Sequence, residues 1–196
     1  MVFMKCVIGI DVGTSGCKSV VVDENGDILA SEVSEYPLHQ PKPGWNEQDP
    51  SDWWRGVQES VKAAIEKVPK TAELAGVSFS GQMHGMVALD KDDAVIRRAI
   101  LWNDQRTQAE CDEITAAAGG LEGLLSYTNN MMLTGYTGGK ILWMKKFEPH
   151  NYEKTVTVLN PKDYIRFLMT GSKETEVSDA SGTGLFNVSQ DPGHMG

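Results

Sequence analysis

The sequence predicts an α/β domain with a mixed sheet that opens as a three-strand antiparallel meander and carries helices on both faces. Three observations support this. Two short apolar runs flank a glycine-rich turn, a third extended stretch follows Asn25-Gly26, and a helix-period segment is followed by a further apolar run. The chain has 196 residues, the size of one ordinary domain. Its hydrophobic fraction of 40% and charged fraction of 23% are those of a globular chain, so disorder is not the default reading.

Residues 6–10 form an apolar run that ends at Asp11, ahead of Gly13-Thr14-Ser15-Gly16. A second run at 19–22 ends at Asp23-Glu24-Asn25-Gly26. Asn-Gly between two strand-like runs is a strong hairpin signal, so residues 27–36 complete the meander. Pro37, Pro41, Pro43 and Gly44 make residues 37–44 an irregular connection. Asp49 is placed to cap a helix whose first position is Pro50. Trp54, Val57, Val61, Ile65 and Val68 recur at helical spacing and mark its expected buried face. Residues 74–79 then read as a buried strand returning to the sheet. Meander, helix and returning strand together are the opening of a ribonuclease-H-like α/β unit.

Beyond Ser80, residues 86–89 and 99–102 are expected as short strands joined by the Lys91-Asp92-Asp93 turn. Helices are expected over 107–118, 140–147 and 161–169. Gly119-Gly120 stops the first, while Pro161 starts the last and Gly171 ends it. No internal repeat interrupts the chain. Residues 1–190 read as one domain without a linker, and 191–196 as a disordered tail or cloning remnant.

The net charge of −9 repels nucleic acid and anionic lipid, so neither is an expected partner. A small anion can still bind where backbone N–H groups converge. Cys6, Cys17 and Cys111 form no C-x-x-C pair and suggest reduced thiols in a cytoplasmic compartment, with Cys6 and Cys17 as small buried hydrophobes. Residues 1–10 are too short an apolar start for a signal peptide. No apolar run approaches the roughly 18 residues of a membrane span.

Three loops carry side chains suited to chemistry. In the turn after the first strand, Gly13 and Gly16 permit positive φ and close backbone approach, so N–H groups can converge on a phosphate. Thr14 and Ser15 add hydroxyls and Lys18 a charge. Asp11 is placed to hold a hydrated Mg²⁺ facing that phosphate. The same residues also fit a plain glycine-rich hairpin, and the Walker A pattern is absent. The second loop, Ser80-Gly81-Gln82-Met83-His84-Gly85, follows a strand where open α/β sheets bind ligands. Gln82 and His84 offer donors and acceptors and Met83 an apolar wall, a set suited to a polyol. His84 also fits a purely structural role. In the third, Trp102-Asn103-Asp104-Gln105-Arg106, an aromatic face and polar groups suit a sugar. Trp102 could equally lie in the core, with Asp104 capping the next helix.

Together these residues resemble the FGGY family of carbohydrate kinases, over about residues 8–186. Ile8-Gly9-Ile10-Asp11-Val12-Gly13-Thr14-Ser15 is similar to its opening phosphate loop, and Trp45-Asn46-Glu47-Gln48-Asp49-Pro50 with Trp53-Trp54 to its tryptophan-rich connection. Gly81-Gln82-Met83-His84-Gly85 resembles the form found in xylulokinases. Leu101-Trp102-Asn103-Asp104 with Arg106, Pro161-Lys162-Asp163-Tyr164 and Ser178-Asp179-Ala180-Ser181-Gly182-Thr183 continue the match in order. The Lys140-x-x-Trp143 signature is present, with Phe147 at a usually polar position. Gly135 stands where several relatives offer a large side chain, and Thr128-Asn129-Asn130 replaces Thr-Gly-Asn.

The resemblance implies an actin-like fold and phosphorylation of a ketopentose, most simply D-xylulose at O5, by ATP with Mg²⁺. Another pentulose, a polyol or a related ketose is the alternative, as is a non-catalytic sugar-binding module of the same fold. It implies that Gln82, Met83, His84, Trp102, Asn103 and Asp104 bind the sugar. Gly13, Thr14, Ser15 and Lys18 would hold the phosphate, and Asp11 the metal through water. It also implies a second domain whose Gly-Gly-Asp motif supplies the general base. No Gly-Gly-Asp occurs in these residues, so the catalytic half is expected to lie outside them. Apolar surface meant for that domain is expected to favour a homodimer. A nuclease centred on Asp11 is opposed by the acidic charge.

Overall fold

The computed structural model describes residues 4–188. In chain order come strands β1 (Met4–Val12), β2 (Gly16–Asp23), β3 (Ile28–Glu35) and β4 (Glu47–Gln48), then helix α1 (Pro50–Lys67). Strands β5 (Ala72–Gly81), β6 (Val87–Leu89) and β7 (Ala99–Ile100) precede helices α2 (Gln108–Ala117), α3 (Gly120–Thr128), α4 (Thr137–Phe147) and α5 (Pro149–Lys154). Strand β8 (Thr157–Leu159) and helices α6 (Pro161–Thr170) and α7 (Val177–Ser181) complete the order. They divide between two compact units. One comprises the described residues of Met1–Leu38 and Asp49–Gln82, the other those of His39–Gln48 and Met83–Gly196. The tail at 191–196 lies outside the described residues.

In the first unit the strand order is β3-β2-β1-β5. Strand β1 pairs antiparallel with β2 and parallel with β5, which makes the sheet mixed, and β2 with β3 completes the expected meander. The β2–β3 turn is fastened by Asp23, whose Oδ1 accepts from the N–H groups of Asn25 and Asp27, both at 2.9 Å. Gly26 takes φ +89° there, a conformation that a side chain would penalise. Helix α1 starts as its sequence demands, with Asp49 Oδ1 accepting from the Ser51 N–H at 3.0 Å and Pro50 in the first turn.

The buried face of α1 differs from the expected one. Trp53, Gly56, Val57, Ser60 and Ala64 are buried, whereas Ile65 is 48% exposed. Small and polar residues make the closest contact with the sheet. A Cβ on Gly56 would stand 3.0 and 3.1 Å from ring carbons of Tyr36, and the Ser60 hydroxyl meets that of Ser19 at 2.8 Å. Such contacts leave no apolar period to read. Strand β5 is also corrected. It is an edge strand, and most of its residues are exposed, Leu74 and Val77 among them. Burial alternates along β1, so Val7 is exposed on the sheet face opposite the buried Cys6, Ile8 and Ile10.

In the second unit, β4 pairs with β7 and β6 with β8, both antiparallel. The two expected strands at 86–89 and 99–102 therefore exist but take other partners, linked to each other by a single bridge between Met86 and Ile100. Helices α2, α4 and α6 stand where the sequence placed them, and Gly171 closes α6 at φ +75°. Gly119, at φ +90°, ends α2, but α3 begins at the next residue. Met86, Ala88, Ile100, Trp143 and Met144 form one core cluster and Cys111, Leu124 and Met132 another. All three cysteines are free and buried. Among the described residues no helix is long and apolar enough to cross a membrane.

Candidate functional site

The sequence-predicted residues fall into two groups, one in each unit. In the first unit, Asp11 and Lys18 are paired across β1 and β2 and therefore share a face. Both are exposed, and with Gly9, Val20, Ser78 and Ser80 they line a shallow groove. The adjoining turn is closed by the Gly13 N–H donating to the Gly16 carbonyl at 3.1 Å. Neither glycine adopts positive φ, contrary to the sequence reading. Their value is steric: a Cβ on Gly16 would stand 2.7 Å from the Ser34 carbonyl oxygen, and one on Gly13 3.1 Å from the Gly16 carbonyl and 3.7 Å from Asp11 Oδ2. Tyr36 fastens the turn from outside. Its hydroxyl donates to the Gly13 carbonyl at 2.5 Å, and its N–H donates to the Ser15 carbonyl at 3.3 Å. Gln82, at the end of this unit, is buried, and its N–H donates to the Val12 carbonyl at 2.8 Å.

Asp11 is a single exposed carboxylate at the end of a strand. That fits an ion held through its own water shell and does not fit an inner-sphere cage, which needs several oxygen ligands. Among the described residues no group of three or more His, Cys, Asp or Glu side chains is arranged to hold a metal.

In the second unit, His84 sits at φ +61°, an uncommon conformation for a residue with a Cβ. Its ring packs on Tyr136 with centroids 4.5 Å apart. Gly182 lies against the ring so closely that a Cβ there would be 2.4 Å from Cε1. The Nδ1 atom is buried beside that backbone without a hydrogen bond of good geometry. Burial, followed by the charge of Lys140, lowers the His84 pKa to about 4, so the ring is neutral at physiological pH and carries one donor and one acceptor. Beside it, Met83 is exposed.

The third loop approaches the same wall. A Cβ on Gly135 would stand 2.4 Å from the Trp102 carbonyl oxygen, so the segment ahead of Tyr136 lies directly on the Trp102 backbone. That contact explains why no larger residue fits at 135 without displacing the loop. Trp102 does not lie in the core, being 44% exposed. Asn103 Oδ1 is buried with no hydrogen-bond partner among the described residues.

Asp104 behaves differently from its neighbours. It is fully buried, and both oxygens are occupied. Oδ2 accepts from the Asn46 N–H and Arg106 Nη2, each at 2.7 Å, and Oδ1 from the Arg106 N–H and Nε, each at 2.9 Å. It does not cap α2, whose N-cap is Thr107. Arg106 is held further by Glu47 at 2.8 Å and by the Trp45 ring, 3.8 Å from centroid to guanidinium carbon. Trp45 in turn meets Trp143 edge-on at 5.4 Å.

Sequence reasoning did not single out Tyr136, Gly182 or Lys140 as parts of this wall. The available signals were Gly138-Gly139 ahead of Lys140 and the Lys140-x-x-Trp143 spacing. Glycine is required at 139, where a Cβ would meet Cys111 Sγ at 2.8 Å.

Comparison with known proteins agrees with the fold. The model of the FGGY family of carbohydrate kinases, N-terminal domain, matches residues 6–192, and the chain belongs to that family. It is 47% identical over 191 residues to the xylulose kinase of Bacillus subtilis (strain 168), covering 95% of this chain and 37% of that protein. It is 44% identical to the xylulose kinase of Staphylococcus xylosus, covering 94% of this chain and 38% of that protein. Among solved structures, the xylulose kinase from Rhodospirillum rubrum superposes with a TM-score of 0.90 at 27% identity, covering 94% of this chain and 38% of that one. A gluconate kinase from Lactobacillus acidophilus gives 0.87 at 32% identity, covering 94% of this chain and 37% of that one. The chain thus spans little more than a third of the length of these relatives.

Proposed function

We propose that the chain supplies the sugar-binding and phosphate-binding half of an ATP-dependent kinase that phosphorylates D-xylulose on its O5 hydroxyl, yielding D-xylulose 5-phosphate. The observation that carries this reading is the second-unit wall. Exposed Met83 and Trp102 stand on loops that also hold the neutral His84 ring and Asn103, whose buried Oδ1 has no hydrogen-bond partner among the described residues. A buried polar atom without a partner is costly, and a polyol hydroxyl satisfies it. The neutral His84 ring can both donate to and accept from such hydroxyls, and the Trp102 face suits sugar C–H groups. The similarity to proteins named xylulose kinase supports the choice of sugar.

In this reading the loop after β1 binds the transferring phosphoryl group through Ser15, the Thr14 hydroxyl and the charge of Lys18, while Gly13 leaves the approach open. Asp11 holds the waters of Mg²⁺. ATP with Mg²⁺ supplies the phosphoryl group, and the loop contributes positioning and charge complementarity, the main sources of rate in such reactions. The general base comes from polypeptide outside residues 1–196. A second reading, a kinase for another pentulose, a polyol or a sugar acid, is favoured by the superposition on the gluconate kinase, close to that on the xylulose kinase.

Titration calorimetry tests the sugar site. With part of the pocket outside these residues, D-xylulose is expected to bind with millimolar affinity, about −4 kcal/mol or less favourable. His84→Ala is expected to abolish that binding. Unchanged affinity in the variant would make His84 a structural residue, and tighter binding of a polyol or a sugar acid would shift the assignment to the second reading.

A further inference from the structure

Lys140 stands at the end of the first turn of α4 and is fully buried. Among the described residues no carboxylate is bonded to it. Its Nζ donates instead to two backbone carbonyls from different loops, His84 and Gly135, each at 2.6 Å. The His84 carbonyl also accepts from the Thr137 hydroxyl at 3.2 Å. Gly135 rests on the Trp102 backbone, and Tyr136, the next residue, carries the His84 ring. The amine therefore ties the His84 loop to the Gly135–Tyr136 segment, which itself rests on Trp102. His84 is held at a φ that its side chain disfavours, and a loop kept in such a conformation needs an external restraint.

We infer that Lys140 is a positioning residue of the sugar site, tying the His84 loop to the Gly135–Tyr136 loop so that His84 and Trp102 present one wall to a polyhydroxylated ligand. The inference rests on the sugar-binding reading above for its ligand, but not for the clamp itself. Two carbonyl acceptors match the two N–H groups of a neutral amine as well as part of an ammonium, so the clamp does not require the charge. The groups around the amine are Asp104, Arg106 and Cys111, with the His84 ring on the side of the sugar wall. Burial is the main influence and lowers the Lys140 pKa to about 7. The Asp104 charge opposes this, and Arg106 reinforces it.

The test uses carbon-detected NMR on the chain of residues 1–196. In the unaltered protein the backbone carbonyl resonances of His84 and Gly135 are expected to titrate together, with one midpoint well below that of an ordinary lysine. Absence of a shared titration overturns the clamp, whatever the ligand. Lys140→Met keeps the length and removes the donors. It is expected to change the His84 ring resonances, to raise the ring's titration midpoint from about 4 towards the ordinary histidine value, and to weaken D-xylulose binding about tenfold, the scale of one lost hydrogen bond. If Lys140→Met does not fold, the shared titration and the milder Thr137→Val variant decide the matter. Thr137→Val is expected to perturb the His84 ring in the same direction by less. A His84 ring and a sugar affinity unchanged in the folded variant overturn the inference. If the unaltered protein binds no pentulose, polyol or sugar acid, the functional reading fails while the carbonyl titration still reports on the clamp.

Discussion

Residues 1–196 on their own are expected to release no ADP in response to sugar. Phosphoryl transfer to a hydroxyl needs a base within hydrogen-bond reach of the proton, and its efficiency depends on a pKa near the working pH. The loops proposed to face the sugar offer two side chains that could accept a proton, Asp104 and His84. Asp104 is buried with both oxygens occupied by Asn46 and Arg106. His84 is neutral at pH 7 and so unprotonated, but a pKa lowered to about 4 makes it a poor proton acceptor. Loss of a matched base alone costs about 10² to 10⁴ in rate. The sequence also contains no Gly-Gly-Asp, and the relatives carry almost two thirds of their length outside the matched region. A coupled assay with ATP, Mg²⁺ and D-xylulose is expected to show no turnover above a His84→Ala control. Sustained sugar-dependent ADP release from the purified chain would overturn both the missing-base argument and the division of roles.

The legible parts of this chain were those governed by local stereochemistry. Asn25-Gly26 announced a turn because Gly26 needs positive φ, and Asp49-Pro50 announced a helix start because the carboxylate accepts from Ser51 and proline needs no N–H partner there. What could not be read depended on surfaces that meet only after folding. The face of α1 was misjudged because Gly56 and Ser60 allow the close approach, while the apolar Ile65 stands outside it. The apolar residues of β5 suggest a buried strand, yet burial is set by neighbouring elements, and among the described residues β5 has a paired strand on one side only. Helix α3 was missed because Gly119-Gly120 reads as an end, and in fact serves as an end and a beginning.

The site divides along the same line. Residue type alone makes Met83, His84, Trp102 and Asn103 candidates for the proposed wall, since aromatic, amide and soft apolar side chains on loops after strands are informative without a known partner. Lys140 was invisible by that criterion. A lysine in a helix of mixed character ordinarily faces water, and only the contacts of Gly135 and Gly139 reveal how tightly the surrounding segments close on it. Asp104 carried the opposite ambiguity, as a carboxylate beside a tryptophan suits a sugar and an arginine equally.

Replacing Asp104 is expected to separate those two roles through a large loss of stability. Arg106 has a side chain only 1% exposed, and Asp104 provides three of its hydrogen bonds while also fixing the Asn46 N–H. Taking one partner from a buried, hydrogen-bonded ion pair leaves an uncompensated charge and costs about 3 to 5 kcal/mol. Glu47 remains beside Arg106 and reduces the loss, so Asp104→Ala is expected near the lower end of that range. Asp104→Asn retains the shape and part of the acceptor set and should lose less. Urea denaturation followed by near-ultraviolet circular dichroism measures this directly, because Trp45 and Trp143 both lie against the Arg106 guanidinium. A double-mutant cycle with Arg106→Met isolates the pair, since removing both charges relieves the unpaired guanidinium and should restore much of the stability lost in Asp104→Ala. If Asp104→Asn instead unfolds at the unaltered urea concentration while D-xylulose binding disappears, Asp104 acts on the sugar and the arginine contact is incidental. If stability falls and the surviving folded fraction still binds sugar, the carboxylate serves the loop that presents Trp102 and Asn103, and the ligand never touches it.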